Sequence, residues 1–83
     1  MLYKARVEVS LKPGHSDPEG ETTTRSLREL AYLVRSVGVS KVYTITLEAN
    51  SISDAETKVE SMCKKLLANP TKDNYTFQVE EAK

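Results

Sequence analysis

His15 and Cys63 are the single histidine and the single thiol of this 83-residue chain, and they bound the chemistry it can do. A histidine acts as a general base when an acidic group orients it and a nucleophile lies within reach. Nothing in the local spacing fixes either beside His15, which follows Pro13-Gly14 and reads as an exposed turn residue. Cys63 falls between Val59 and Leu66 on an apolar stripe, where a thiol behaves as a small core hydrophobe with a raised pKa rather than as a nucleophile. One histidine and one cysteine exclude paired-His and Cys-based zinc sites, and neither HExxH nor CxxC occurs.

The remaining candidates are weaker. Glu56 with Glu60 and Glu80 with Glu81 are carboxylate pairs, but nothing in the pattern brings them to one cleft. Pro13-Gly14 and Gly20 flank a helix start without the GxGxxG or P-loop spacing that cradles phosphate. Tyr3, Tyr43, Tyr75 and Phe77 fall on inward positions of predicted strands, which makes them core rather than a base-stacking platform; Tyr32 lies off these sets.

The elements that carry these residues are legible from periodicity. Tyr3, Ala5, Val7, Val9 and Leu11 alternate with Lys4, Arg6, Glu8, Ser10 and Lys12, the pattern of a half-buried strand. Pro13-Gly14 ends it in a turn. Asp17 followed by Pro18 reads as an N-cap with proline at the first helical position. The helix should bury Leu27, Leu30, Ala31 and Val34 at i, i+3, i+4 and i+7. Gly20 and Thr22-Thr23-Thr24 have low helix propensity, so packing must hold its first turns. Between Leu33 and Val39 a short extra strand or a loop both fit. Tyr43, Ile45, Leu47 and Ala49 then mark a second strand. Ser53 with Glu56 is a capping-box signal for a second helix burying Ala55, Val59, Met62, Cys63 and Leu66. Asn69-Pro70 stops that helix. Tyr75, Phe77 and Val79 form a last strand.

Short strands with one apolar face and two amphipathic helices predict an α+β fold: a two-layer antiparallel sheet with both helices on one face, ferredoxin-like βαββαβ or a close variant. A chain of 83 residues has room for one domain, residues 1–83, and no separate catalytic unit. A core this small gains from subunit contacts, and exposed strand edges invite them, so a homo-oligomer, dimer or tetramer, is expected. Twelve basic residues balance twelve acidic ones, which gives no electrostatic reason to expect a nucleic-acid partner. The alternating start lacks the apolar run of a signal peptide, no later run is long enough to span a membrane, and the lone thiol suits a reducing compartment; a cytoplasmic location is expected.

Two segments resemble the PurS family, the small subunit of phosphoribosylformylglycinamidine (FGAM) synthase. Leu11 to Gly20, LKPGHSDPEG, is similar to the family's LKPGxxDPxG. Met62 to Tyr75, MCKKLLANPTKDNY, is similar to its MCxKLLANPxxxxY, and the acidic Glu80-Glu81 ending also matches. The two occur in the family's order and distance, and the likeness extends over nearly the whole chain. Where the family has VRxGK before the central strand, this chain reads Val37-Gly38-Val39-Ser40-Lys41, without the Arg and with the glycine shifted.

The resemblance implies a non-catalytic subunit in the fourth step of purine (IMP) biosynthesis, which makes the amidine from formylglycinamide ribonucleotide. A glutaminase subunit, PurQ, would release ammonia, and a synthetase subunit, PurL, would use ATP and Mg²⁺. The small subunit would bridge them and bind no cofactor itself. The two motifs single out Lys12, Pro13, Gly14, Asp17, Asn69 and Pro70 as partner-interface or positioning residues. The alternatives are a stand-alone ferredoxin-like ligand-sensing or interaction module, which needs a cleft of convergent polar groups, and an RNA-binding module, which needs a basic face and which the zero net charge counts against.

Overall fold

The computed structural model describes residues 1–82. In chain order it comprises β1 (Leu2–Leu11), α1 (Pro18–Glu29), β2 (Lys41–Glu48), α2 (Ile52–Met62), a π-helical turn (Cys63–Leu67) and β3 (Asp73–Glu81). The three strands form one antiparallel sheet in the order β2-β1-β3. The fold is α+β with an antiparallel sheet, as the alternation predicts; the order is βαβαβ, one strand short of βαββαβ. Residues 33–40, where an extra strand was one reading, are a loop.

β1 is central and pairs antiparallel with both other strands. Its Tyr3, Ala5, Val7 and Val9 are buried. Tyr3 pairs with Leu47, Ala5 with Ile45 and Val7 with Tyr43 on one flank. On the other flank Ala5 pairs with Val79, Val7 with Phe77 and Val9 with Tyr75. The period of two sends Lys4, Arg6, Thr44, Thr46, Gln78 and Glu80 to the opposite, wet face.

α2 lies over β1 and β3. Its Ala55 and Val59, with Cys63 just beyond, are fully buried against the small central residues of β1. The helix starts two residues earlier than the Ser53–Glu56 signal indicates. Ser51 is the N-cap, its Oγ accepting from Asp54 N–H at 3.1 Å, and Asp54 Oδ2 accepts from Asn50 N–H at 2.9 Å. The shifted pair wins because Ser51 is extended while Ser53 is already helical; a cap must have non-helical dihedrals.

The last turn corrects a second expectation. Ala68 N–H donates to Cys63 O at 3.0 Å, an i+5 bond. One extra residue in that turn advances the phase, so Leu66 is 83% exposed and Leu67 packs on the core in its place.

α1 is the main departure. Its apolar spacing predicts a place on the sheet beside α2, yet Gly20 is its one buried residue. Helix geometry ends at Glu29, before the apolar stripe is complete. Leu30 is the C-cap and Ala31 takes a left-handed φ of 72°. Ala31 N–H donates to Arg28 O at 2.9 Å and Tyr32 N–H to Leu27 O at 3.0 Å, the paired bonds of a Schellman stop. Leu30 and Leu33 are left 69% and 101% exposed. The helix and the returning loop form an arm projecting from the sheet. Their projection lengthens the molecule to 51 × 29 × 13 Å, with a radius of gyration of 16.4 Å where a compact chain of this length has about 12 Å.

Candidate functional site at the base of the arm

The residues singled out by the two motifs converge on one corner, where the end of β1, the start of α1 and the start of β3 meet. Lys12 closes β1: its N–H donates to Lys72 O at 2.7 Å and its Nζ to Pro70 O at 3.0 Å. The LKPG turn is thereby tied to the LANP turn. Pro13 and Gly14 form the exposed bend, held by His15 N–H donating to Lys12 O at 3.3 Å. Gly14 has φ of 89°, a conformation that a Cβ penalises.

Asn69 and Pro70 form the facing turn. Asn69 O accepts from Lys72 N–H at 3.2 Å and from Asp73 N–H at 2.8 Å, while Asn69 Oδ1 accepts from Thr71 N–H at 2.9 Å. Asp73 Oδ2 returns a bond to Asn69 N–H at 2.8 Å. An Asx turn of this kind spares the backbone a search for other partners and sets where β3 begins.

Asp17 joins this corner to the arm. Its Oδ1 caps α1 by accepting from Gly20 N–H, and its Oδ2 accepts from Val39 N–H on the returning loop, each at 3.0 Å. The structure thus ties Lys12, Asn69 and Pro70 into one hydrogen-bonded frame, Pro13 and Gly14 shape its outer bend, and Asp17 makes a separate set of bonds to Gly20 and Val39 beside it. A recess of about 370 Å³ lies at this corner, lined among others by Leu11, Asp17, Val39, Lys41, Leu67 and Lys72.

Residues absent from the motif reading also matter. Lys72 and Asp73 supply an acceptor on each side of the LANP turn, and Arg28 donates from Nε and Nη2 to Val34 O and Arg35 O, both at 2.9 Å. Gly20, whose low helix propensity predicts a weak first turn, has a packing role: a Cβ there would collide with the carbonyl oxygen of Val37. The signal in the sequence was that misfit itself, since a glycine inside a well-capped first turn is costly unless another chain segment must come close.

None of this is catalytic geometry. Cys63 is fully buried, and burial followed by the nearby Glu60 carboxylate pushes its thiol pKa up. His15 is exposed. The bond from Tyr75 Oη to Glu60 Oε1, 2.8 Å, raises the phenol pKa and ties β3 to α2. Among the described residues, no group of three His, Cys, Asp or Glu side chains is placed to hold a metal ion, and no helix is long and apolar enough to cross a membrane.

Comparison with known proteins places this corner in context. Residues 4–81 match the family model PurS, described as phosphoribosylformylglycinamidine (FGAM) synthase. The chain is 45% identical over 74 residues to the phosphoribosylformylglycinamidine synthase subunit PurS of Archaeoglobus fulgidus, covering 88% of this chain and 92% of that one. It is 38% identical over 81 residues to the PurS subunit of Bacillus subtilis, covering 96% and 95%. Among solved structures, Thermus thermophilus PurS matches with a TM-score of 0.88 at 33% identity, covering 100% of each chain. A chain in the structure of PurLQS from Thermotoga maritima matches with a TM-score of 0.83 at 31% identity, covering 99% of each. The chain, built around a tied LKPG–LANP corner and a projecting arm, belongs to the PurS family of FGAM synthase.

Proposed function

We propose that this protein is the small, non-catalytic subunit of FGAM synthase, holding a PurQ-type glutaminase against a PurL-type synthetase so that ammonia passes from one to the other. The observation that carries this reading is the full-length match to a chain of the Thermotoga maritima PurLQS structure. The residues agree with it: a buried thiol and an exposed histidine supply no amidotransferase or nucleotide chemistry. Ammonia released into water is protonated and lost, so transfer requires two active sites to be held in register. A rigid, elongated subunit is suited to that task.

In this reading the chain binds no cofactor, and ATP with Mg²⁺ serves the synthetase subunit. The exposed Leu30, Tyr32 and Leu33 at the arm tip, together with two open sheet edges on β2 and β3, support assembly as a homo-oligomer as well as with the larger subunits. The balanced charge and the biosynthetic role support a cytoplasmic location without a nucleic-acid or membrane partner. A ligand-sensing module is less well supported: a depression of about 540 Å³ over Lys4, Arg6, Thr44, Gln78, Val79 and Glu80 is an open patch of the wet sheet face rather than a cleft of convergent buried groups.

The test is reconstitution with PurL and PurQ, comparing glutamine with high external ammonia as nitrogen source. Omitting this subunit should abolish most glutamine-driven turnover and spare the ammonia-driven reaction. Unchanged glutamine-driven turnover would sink the bridging role.

A further inference from the structure

The arm has almost no apolar anchorage, yet it leaves the sheet in a defined direction. α1 buries Gly20 alone, so the usual means of orienting a helix, an apolar stripe pressed on a sheet, is missing. What remains is polar. Asp17 spends both carboxylate oxygens at the base, Oδ1 on Gly20 N–H within α1 and Oδ2 on Val39 N–H, 22 residues later in the loop that returns to β2. One turn into the helix, Gly20 lets the Val37 carbonyl approach closer than any side chain would permit. At the far end Arg28 grips Val34 O and Arg35 O. Helix and return are therefore joined at both ends, and the base joint holds Val39 two residues before β2 enters the sheet at Lys41.

We propose that Asp17 is a positioning residue whose two-oxygen latch, seated on Gly20, sets the angle of the α1 arm to the sheet and thereby lets the subunit dock in the assembled synthase; the docking half rests on the bridging function above. The chemistry selects aspartate. Serine caps a helix equally well but has one short oxygen and does not span to Val39. Asparagine would turn an amide N–H₂ toward the Val39 N–H, donor facing donor. Cap and latch are thus separable by substitution.

The experiment uses the full chain, Asp17→Ser and Gly20→Ala, the second opening the base sterically with Asp17 intact. Amide exchange at Val39 and residual dipolar couplings of α1 against the sheet read the latch. Losing a hydrogen bond to a charged acceptor should speed Val39 exchange by about tenfold or more in Asp17→Ser. Helical circular dichroism should stay unchanged, and the α1 couplings should cease to share one orientation with those of β1. Unchanged exchange and couplings in both variants would overturn the latch. In the reconstituted synthase the variants should lower glutamine-driven turnover and leave ammonia-driven turnover intact, a split that simple destabilisation of the subunit pool, corrected by saturating the assay with it, does not produce. A reoriented arm with undiminished glutamine use would overturn the docking role. Failure of the parent protein itself to support glutamine use would instead count against the bridging function, with the latch still decided by the couplings.

Discussion

The ammonium of Lys12 donates to the carbonyl of Pro70 at 3.0 Å, across 58 residues of sequence, and so welds the turn that ends β1 to the turn that begins β3. Each turn is short and punctuated by proline, and the bends themselves, Pro13-Gly14 and Pro70-Thr71, are exposed. The bond is exposed, so water competes for it. Lys12→Met should cost about 1 kcal/mol of stability, the net worth of an ordinary hydrogen bond. Urea denaturation with an unchanged slope checks it, and an unchanged midpoint would remove Lys12 from the frame.

Gly14 and His15 are neighbours in the bend with opposite sensitivities. Gly14 has φ of 89°, and placing valine there forces a β-branched side chain into the left-handed region at about 1–2 kcal/mol. His15 contributes its backbone N–H, which alanine keeps. Gly14→Val should lower the thermal midpoint and weaken complex formation, while His15→Ala changes neither. Thermal melts and reconstitution of the two variants side by side decide it.

Ala31 bears a similar strain at the arm tip, with φ of 72° at the position where helices usually place glycine. Ala31→Gly relieves the Cβ clash and should stabilise by about 0.5–1 kcal/mol despite the added freedom of the unfolded chain. A destabilised Ala31→Gly variant in equilibrium unfolding would contradict the Schellman geometry.

The π-helical turn separates Val59 from Leu66. Val59→Ala empties a fully buried site and should cost about 2 kcal/mol through lost burial and a residual cavity. Leu66→Ala, at an exposed position, should stay within about 0.5 kcal/mol. The reverse order of denaturation midpoints would place Leu66 back on the core and remove the extra residue from the turn.

Two pH limbs follow from the shifted groups. Asp54 is held below the usual carboxylate range by the Asn50 N–H and then by Lys58. Its folded pKa is depressed, so the stability it contributes is present above about 3.9 and is lost as pH falls through the folded value. Cys63, raised by burial, and Tyr75, raised by its bond to Glu60, run the other way. The folded state holds their protons longer than the unfolded chain does. Stability therefore falls as pH rises past the ordinary thiol range near about 8.5 and the ordinary phenol range near about 10. Stability curves of Asp54→Asn and Tyr75→Phe against pH should each flatten the corresponding limb. A parallel displacement of either curve would assign that limb to other groups.

How much of this was legible in the residues divides along one line: local patterns were, and long-range choices were not. The alternation from Tyr3 to Lys12 decided which face of β1 is buried, because a strand's period of two leaves no other assignment once one side is apolar. Asp17-Pro18 placed the start of α1, and Val59 with Cys63 placed the buried face of α2, for the same local reason. LKPG and LANP were recognisable as turns, and their pairing in sequence pointed to the family. What the tertiary structure alone decided was whether α1 would close over the sheet. Leu27, Leu30, Ala31 and Val34 fit a helical stripe in sequence, but the Schellman stop at Ala31, the Arg28 grip on the return and the Asp17–Val39 bond draw that segment into an arm. Those bonds span up to 22 residues, and no short-range periodicity encodes them. The same holds for Leu66: its spacing matches the stripe, and only the i+5 bond from Ala68 to Cys63 turns it to solvent. Periodicity predicts the face a residue would take on an ideal element, whereas packing and hydrogen bonding decide where that element ends and what it meets.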